Sequence, residues 1–366
     1  MQYNGPSLII SIRPLHFLIL RAILQVNSYK SPHEFLKEIL KWDKKKPVNV
    51  QGRDEMEHPF LYADDNKRYH TLAYHLKRRF GRRVFKASID AGFTCPNLDG
   101  TRGTGGCTYC QGGSGAFAPG PAFSITRQIQ IEQARIHLKW KDAPVIAYFQ
   151  AHTNTYAPLP ILQKKYEEAL AVEGVCGLSL ATRADALSPE TIDYLAELSQ
   201  RTYLTVELGL QTIHDETAVR IHRGHSYTEF NQAYQALKRR GIRVCVHLID
   251  GLPGETFPMM LETARAVGQL RPDAVKLHLL HILRGTPLAE AYTAGRFTPM
   301  TREAYIHTVC TQLEWLPPET VIERVTGDGQ REMLLAPLWS LDKIAVLGGI
   351  DRELARRNTV QGARFS

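Results

Sequence analysis

The chain contains 366 residues, of which 43% are hydrophobic and 22% are charged, an ordinary globular composition in a chain long enough to bury a large core. No stretch reaches the roughly 18 apolar residues that a membrane span requires, and six cysteines are too few for a disulfide scaffold. The net charge of +8 would suit a polyanionic partner, but residues 1–55, with nine basic and five acidic side chains, supply half of it.

The first 33 residues contain no Asp or Glu and include an apolar run from Leu15 to Val26. One interpretation is a transit peptide, which bears arginine and is poor in acid. A signal peptide fits less well, because glycine, proline and polar residues precede the apolar run. A start assigned too early, with the true start at Met56, explains the same features. We expect residues 1–55 to be an N-terminal extension that is disordered or wrongly included.

Strands and helices alternate from residue 84 onward, which predicts a parallel sheet. Six units are too few for a complete eightfold barrel. We therefore predict an α/β fold: a partial (β/α)6 TIM-like barrel over residues 56–300, followed by an α+β C-terminal extension, residues 301–366, that packs on it. A further possible strand, Val321–Val325, lies outside the repeat. The six predicted strands are Val84–Asp90, Val145–Gln150, Gly177–Ala181, Tyr203–Leu208, Val244–Ile249 and Ala274–His278. The predicted helical segments are 125–140, 159–172, 189–200, 228–240 and 256–270.

Three cysteines follow the first predicted strand, with Cys95, Cys107 and Cys110 in the spacing C-x11-C-x2-C. In a reducing, cytoplasmic compartment such a group indicates metal binding or catalysis. Three thiolates on a [4Fe–4S] cluster leave one iron open for an exchangeable ligand. A Cys3His zinc site is an alternative, and an electron-transfer cluster is another, although it normally uses four cysteines. The spacing favours the three-cysteine cluster and leaves the alternatives open.

Longer motifs around these cysteines resemble the YhcC/YtqA-type radical S-adenosylmethionine (SAM) family, whose members are relatives of the radical SAM half of the Elongator catalytic subunit. The resemblance covers roughly Met56 to the C-terminus. It implies a partial barrel with a [4Fe–4S] cluster on the loop after the first strand. It also implies reductive cleavage of SAM to methionine and a 5′-deoxyadenosyl radical, which abstracts hydrogen from the substrate. The matching motifs are VFKASIDAGFTCPNLDGT (84–101), GGCTYC (105–110), YFQAHTNTY (148–156), ATRAD (181–185), VELGLQT (206–212), GLPGET (251–256) and VKLH (275–278).

The resemblance also suggests which residues bind SAM. Tyr109 precedes the last cysteine, where the superfamily has an aromatic side chain near the adenine. The methionine end of SAM is bound after the second strand, at Gln150, His152 and Asn154, although such a polar run is also typical of a plain turn. The loop after the fifth strand, with Gly251, Pro253 and Glu255, suits the adenine edge because its glycines permit close backbone approach.

Polar and charged side chains within or after the predicted strands are further candidates. Glu207 lies inside an apolar strand, where a buried carboxylate needs a partner; we expect a sugar hydroxyl of SAM or a nearby arginine. Gln211 falls on the same strand face by the period of two. Arg183 and Arg223 are candidate clamps for a carboxylate or phosphate, with a surface ion pair as the alternative for Arg183.

Two residues of the sixth predicted strand, Lys276 and His278, are our candidates for catalytic groups. Lys276 interrupts an apolar run and would point into the barrel toward an anionic substrate. His278 shares its face, but a histidine packed at the barrel rim explains it equally well.

Two basic clusters, Lys77–Arg83 and Lys238–Arg243, could neutralise the phosphates of a nucleic acid. The alternative is that they are solvated helix ends, because cationic residues favour helix C-termini. The resemblance favours tRNA, with modification of the C5 side chain of a wobble uridine, and an electron donor such as flavodoxin or ferredoxin. A radical SAM enzyme acting on a protein or small metabolite is one alternative. A non-catalytic iron–sulfur or zinc-binding redox partner is the alternative of a different class.

Overall fold

Seven parallel strands form the main sheet, in the order β1-β2-β3-β4-β5-β6-β8. The computed structural model describes residues 60–111, 117–327 and 329–366; the predicted N-terminal extension, residues 1–55, lies outside them. In chain order, the strands of the described part are β1 Phe85–Ile89, β2 Val145–Phe149, β3 Val175–Arg183, β4 Tyr203–Gln211, β5 Arg243–Asp250, β6 Ala274–Leu279, β7 Ile282–Leu283, β8 Val321–Arg324 and β9 Leu334–Ala336. The helices are α1 Leu72–Phe80, α2 Ile125–His137, α3 Leu159–Leu170, α4 Pro189–Arg201, α5 Asp215–Arg220, α6 Tyr227–Arg239, α7 Phe257–Leu270, α8 Pro287–Thr293, α9 Arg302–Trp315 and α10 Lys343–Arg356.

Helices return the chain to the same edge of the sheet after each strand, so that neighbouring strands run parallel. β2 is buried along its whole length, as expected of a strand that is covered on both faces. Hydroxyl side chains start several helices: Ser124, Ser188 and Ser226 each accept a hydrogen bond from the backbone N–H three residues later. The partial TIM-like barrel predicted from the sequence is confirmed.

The seventh strand, β8, was predicted to lie outside the repeat, but it pairs in parallel with β6 within the main sheet. The connection between them contains β7, α8 and α9, and this length hides the repeat in the sequence. From β8, Glu323 reaches across the interior to Lys86 of β1, with 2.6 Å between Oε2 and Nζ. Since β1 and β8 are the two edge strands, the sheet curls until its edges approach.

Both basic clusters lie at the amino edge of the sheet. Lys77–Arg83 covers the end of α1 and the turn into β1, and Lys238–Arg243 covers the end of α6 and the start of β5. Lys238 is paired with Asp273 at 2.6 Å. Because ligands of parallel α/β folds bind at the opposite, carboxyl edge, the helix-end interpretation of these clusters is favoured. Among the described residues, no helix is long and apolar enough to cross a membrane.

Asp250, the last residue of β5, predicts a pH-dependent stability. Burial raises the pKa of its carboxyl to about 7, although the hydrogen bond from Gln312 of α9 opposes the shift. The protonated carboxyl of Asp250 makes its full contribution to the stability of the fold below the ordinary pKa of 3.8. This contribution is lost as the pH rises through about 7. Asp250→Asn should therefore unfold like the wild type at pH 4 and be more stable by roughly 2–4 kcal/mol at pH 9. Thermal unfolding over this pH range tests it; parallel profiles would contradict the buried-acid assignment.

Candidate active site

A cavity of about 340 Å³ opens at the carboxyl edge of the main sheet, within the range of small-ligand sites. It lies between the loop that carries the three cysteines and the ends of β2 to β6 and β8. The structure thus brings together residues that are up to 229 positions apart in the chain, from Cys95 to Arg324. The predicted site residues that line the cavity are Cys95, Cys107, Tyr109, Cys110, Gln150, His152, Arg183, Glu207, Gln211, Arg223 and His278.

The cysteine loop, residues 95–110, folds back on itself and is fastened to the barrel at several points. Gly105 and Gly106 have φ values of 80° and 77°, a backbone conformation that glycine adopts at little cost. At its outer side the loop is held by Thr101, whose hydroxyl lies 2.7 Å from the hydroxyl of Tyr156. At its inner side the backbone N–H of Thr108 donates to the carbonyl of Ile221 at 3.0 Å.

The six cysteines all lie in the described part of the chain and form no disulfide; of the three in the loop, Cys95 and Cys107 are half-buried while Cys110 is exposed. Burial raises the pKa of the Cys107 thiol, and the nearby Arg183 guanidinium opposes that rise. No group of three or more His, Cys, Asp and Glu side chains in the described part is placed to hold a single metal ion. Three thiols around one cavity fit the donor set of a [4Fe–4S] cluster with one iron left for another ligand.

Polar side chains at the strand ends form the cavity wall nearest the loop. Gln150 accepts a hydrogen bond from the Ser88 hydroxyl at 3.1 Å. His152 and Gln211 have φ values of 58° and 64°, which are uncommon for residues other than glycine and cluster at functional sites. Gln211 is the last residue of β4 and His152 lies three residues after the end of β2, and both side chains line the cavity.

The two arginines predicted as clamps differ in their surroundings. One edge of the Arg183 guanidinium is held by Asp185, through Nε at 2.9 Å and Nη2 at 2.7 Å. Arg223 is 1% exposed; it donates to the backbone carbonyls of Leu210, Thr212 and His225. Arg223 therefore fastens the loop after β4, and its predicted role as a carboxylate or phosphate clamp is not favoured by these contacts.

Four predicted SAM-binding residues lie outside the cavity lining. Asn154 is fully buried and donates to the carbonyls of Phe149 and Ala181, which ties the ends of β2 and β3 together. The loop with Gly251 and Pro253 packs against other side chains, for example Arg220, which donates to the Pro253 carbonyl at 2.7 Å. The carboxylate of Glu255 accepts from the Thr212 hydroxyl at 2.5 Å. For Asn154 and Glu255, the sequence indicated a polar side chain but not the direction in which it points.

Glu207 is the centre of a buried polar layer beneath the cavity. Oε1 accepts from Lys86 at 2.5 Å and from the Ser179 hydroxyl at 2.5 Å, while Oε2 accepts from Lys276 and lies 2.8 Å from His247 Nε2. The prediction of an arginine partner for Glu207 is thus wrong, because Lys86 and Lys276 pair with this carboxylate instead. Burial alone would raise the pKa of this carboxyl, but Lys276, Lys86 and His247 hold it well below its usual range.

Lys276 is 3% exposed and is not part of the cavity lining. Burial favours its neutral amine, yet Glu207 and Glu323 raise the pKa of the ammonium. The expected contact with an anionic substrate is replaced by these ion pairs. His278 does line the cavity; burial holds its pKa well below the usual range, so it is neutral at pH 7. Its Nε2 is buried without a hydrogen-bond partner among the described residues.

Every strand of the main sheet contributes one side chain to the polar layer, and the sequence pointed to only two of them. The signal in the sequence was a polar residue inside an apolar strand, as for Lys86 and Glu323. Such residues become informative only when the sheet curls and places them together. The layer consists of Lys86, Tyr148, Ser179, Glu207, His247, Lys276 and Glu323.

Comparison with known proteins assigns a family to this site. A model of the radical SAM superfamily matches residues 99–267, and a model of the radical SAM C-terminal domain matches residues 272–356. The chain is 49% identical over 308 residues to YtqA of Bacillus subtilis (strain 168), an uncharacterised protein, covering 84% of this chain and 96% of YtqA. It is 30% identical over 154 residues to the tRNA uridine(34) acetyltransferase of Methanocaldococcus infernus, covering 41% of this chain and 28% of that protein.

Among solved structures, Elp3 of Methanocaldococcus infernus with residues 1–46 deleted superimposes with a TM-score of 0.58 at 18% identity, over 76% of this chain and 64% of that one. This likeness supports the fold. The identity to YtqA, over 84% of this chain and 96% of that protein, shows the family. The superfamily match supports the chemistry, because a [4Fe–4S] cluster and SAM are the cofactors of radical SAM enzymes. The chain therefore belongs to the radical SAM superfamily, as an enzyme of the YhcC/YtqA-type family.

Proposed function

We propose that this radical SAM enzyme remodels the C5 side chain of a wobble uridine in tRNA, in the cytoplasm. The observation that carries the proposal is the similarity to a tRNA uridine(34) acetyltransferase over 154 residues. The cavity of about 340 Å³ at the carboxyl edge suits a base that leaves the anticodon loop and enters the barrel mouth. Six cysteines that form no disulfide are consistent with a reducing compartment.

The cysteine loop would hold the cluster, and this loop together with the strand ends would bind SAM. When bound, the cluster and SAM supply the radical that abstracts hydrogen from the substrate. Cys95, Cys107 and Cys110 would hold the cluster. Tyr109, which packs in one apolar group with Ile249 and Leu252, would cover the adenine.

The methionine end of SAM would lie against Gln150 and His152, at the end of β2, with Gln211 on the neighbouring wall. Arg183 would bind the SAM carboxylate, because Asp185 fixes one edge of its guanidinium and leaves a donor edge on the other side. We assign Glu207 an indirect role, since both its oxygens already accept hydrogen bonds from protein side chains.

The far wall of the cavity would contact the substrate. His278 lines it, and its low pKa keeps the ring neutral, so it can offer a hydrogen bond without a charge. Lys276, which lies beneath the cavity, would keep Glu207 ionised through their ion pair and would not contact the base. An electron donor such as flavodoxin or ferredoxin would approach the loop at Cys110, the exposed cysteine of the three.

Arginines at the carboxyl edge would hold the RNA backbone. Arg284 and Arg296 are exposed and lie on the connection that leaves the carboxyl end of β6. Arg78 and Arg79 are equally exposed, but they end α1 at the opposite edge. Two matched double variants, Arg284→Ala/Arg296→Ala and Arg78→Ala/Arg79→Ala, each remove two positive charges and therefore separate the position of the charges from their number.

We expect tRNA from a strain that lacks this enzyme to stimulate 5′-deoxyadenosine formation by the reconstituted protein. Filter binding should show that Arg284→Ala/Arg296→Ala weakens tRNA binding by roughly tenfold at 0.15 M salt, whereas Arg78→Ala/Arg79→Ala binds like the wild type. Nucleoside analysis of tRNA from the deletion strain should show an altered wobble uridine.

Other outcomes identify the alternatives. SAM cleavage that no RNA stimulates, together with unaltered tRNA in the deletion strain, would point to a protein or metabolite substrate. A loaded iron–sulfur protein that cleaves no SAM under dithionite would be a non-catalytic redox partner, and one zinc per chain without sulfide would indicate a structural metal site.

A further inference from the structure

We propose that Asn97 is a positioning residue for the iron–sulfur cluster, whose side-chain amide fixes Cys107 and donates a hydrogen bond to its sulfur. Asn97 lies two residues after Cys95 and is 4% exposed. No motif in the sequence separated it from the other residues of the loop. The inference concerns the cluster and holds whatever the substrate is.

The amide of Asn97 connects two separate parts of the chain. Its Nδ2 donates to the carbonyl oxygen of His222 at 2.5 Å and to Sγ of Cys107 at 3.6 Å. A carbonyl oxygen can only accept, so the NH2 group and not the amide oxygen must face His222, which fixes the orientation of the amide. The NH2 group has two hydrogens, one for each acceptor.

The loop is shaped around this amide. The backbone carbonyl of Asn97 accepts from Gly106 N–H at 2.9 Å, which closes the loop beside Cys107. A Cβ atom at Gly103 would lie 2.6 Å from Asn97 Oδ1, and one at Gly224 would lie 2.9 Å from it. Such distances are not tolerated, so both positions must lack a side chain for the amide to fit. Gly103 comes from the cysteine loop and Gly224 from the connection between α5 and α6.

The hydrogen bond has an electrostatic consequence for the cluster that Cys107 would hold. A cluster gains negative charge when it is reduced, and part of this charge lies on its thiolate sulfurs. An N–H group that points at such a sulfur stabilises the reduced form and raises the reduction potential. Asn97 would therefore both hold Cys107 in place and make the cluster easier to reduce.

Two variants of Asn97 and one matched control test the proposal. Asn97→Ala removes the amide, and Asn97→Asp keeps its size but replaces the donor by a carboxylate oxygen. Thr101→Val is the control: it removes the hydrogen bond of the same loop to Tyr156 without changing a donor to Cys107. Iron and sulfide content after anaerobic reconstitution, and the midpoint potential from titration followed by electron paramagnetic resonance without SAM, are measured for each.

We expect both Asn97 variants to retain less cluster, by at least about twofold, or to have a lower potential, with Asn97→Asp the more affected. Thr101→Val should match the wild type in both measurements. Wild-type cluster content and potential in both Asn97 variants would overturn the proposal. An equal loss in Thr101→Val would overturn it as well, since a loosened loop would then suffice. Because neither measurement uses RNA, failure of tRNA stimulation leaves this test unaffected.

Discussion

Replacing any one of Cys95, Cys107 and Cys110 by alanine is expected to lower 5′-deoxyadenosine formation by more than about 100-fold, since loss of an outer-shell partner alone costs 10–100-fold at metal sites. Each thiolate would supply one of three protein bonds to the cluster. With one removed, two irons would lack a protein ligand and the cluster would be released or distorted. Anaerobic reconstitution, followed by dithionite, SAM and chromatography of the products, measures the effect.

The chain provides its own control in the remaining cysteines. Cys176, Cys245 and Cys310 are outside the cavity lining, and Cys245 and Cys310 are buried. Alanine at Cys176 or Cys310 should leave iron content and SAM cleavage near the wild-type level. If a Cys107→Ala protein kept both its iron and its activity, the assignment of the loop as the cluster site would be wrong.

Glu207→Gln is expected to destabilise the fold by about 3–5 kcal/mol, the range found when one partner of a buried ion pair is removed. The carboxylate is fully buried and takes hydrogen bonds from Lys86, Lys276 and Ser179. The neutral amide has the same shape but leaves two ammonium groups to share Glu323, which pairs with Lys86 at 2.6 Å and lies 3.6 Å from Lys276. One positive charge is then buried without compensation.

Denaturant unfolding of the apoprotein under reducing conditions measures this loss. Glu167→Gln serves as the matched control: the same substitution removes a carboxylate that pairs with Arg201 at 2.5 Å but is 45% exposed. Since exposed ion pairs contribute about 0–1 kcal/mol, the control should unfold almost like the wild type. Similar losses in the two variants would mean that the polar layer is not the buried ionic centre described here.

Periodicity and motif spacing predicted much of this molecule because local physics determines those features. All six predicted strands, β1 to β6, and all five predicted helical segments are present. Apolar runs of strand length and helix starts such as Ser188 could be recognised because they depend on neighbours along the chain. The three cysteines were recognisable as a candidate metal or cluster site because a spaced thiol pair and a third thiol lie on one loop.

Side-chain direction at the strand ends could not be predicted in the same way. Asn154 and Glu255 are polar residues in the expected loops, yet they bond to the protein itself. Arg223 has the residue type of an anion clamp, but its donors are engaged by backbone carbonyls. In each case the side chain points to a buried backbone or side-chain group that needs a hydrogen-bond partner. Which groups need one is known only when the packing of the loops is known.

By itself, the sequence determined the class of fold and the order of the strand–helix units, and it predicted a cluster site in the cysteine loop, because these follow from short-range pattern and residue type. The tertiary structure alone decided that β8 belongs to the barrel sheet, that Lys86 and Lys276 share Glu207, and that Asn97 faces Cys107. The first two features join residues far apart in the chain. Asn97 and Cys107 share one loop, but the amide of Asn97 is oriented by its hydrogen bond to the distant His222 carbonyl. The reason is physical: a buried charge or amide must find a partner, and the curl of the sheet determines which partners are within reach.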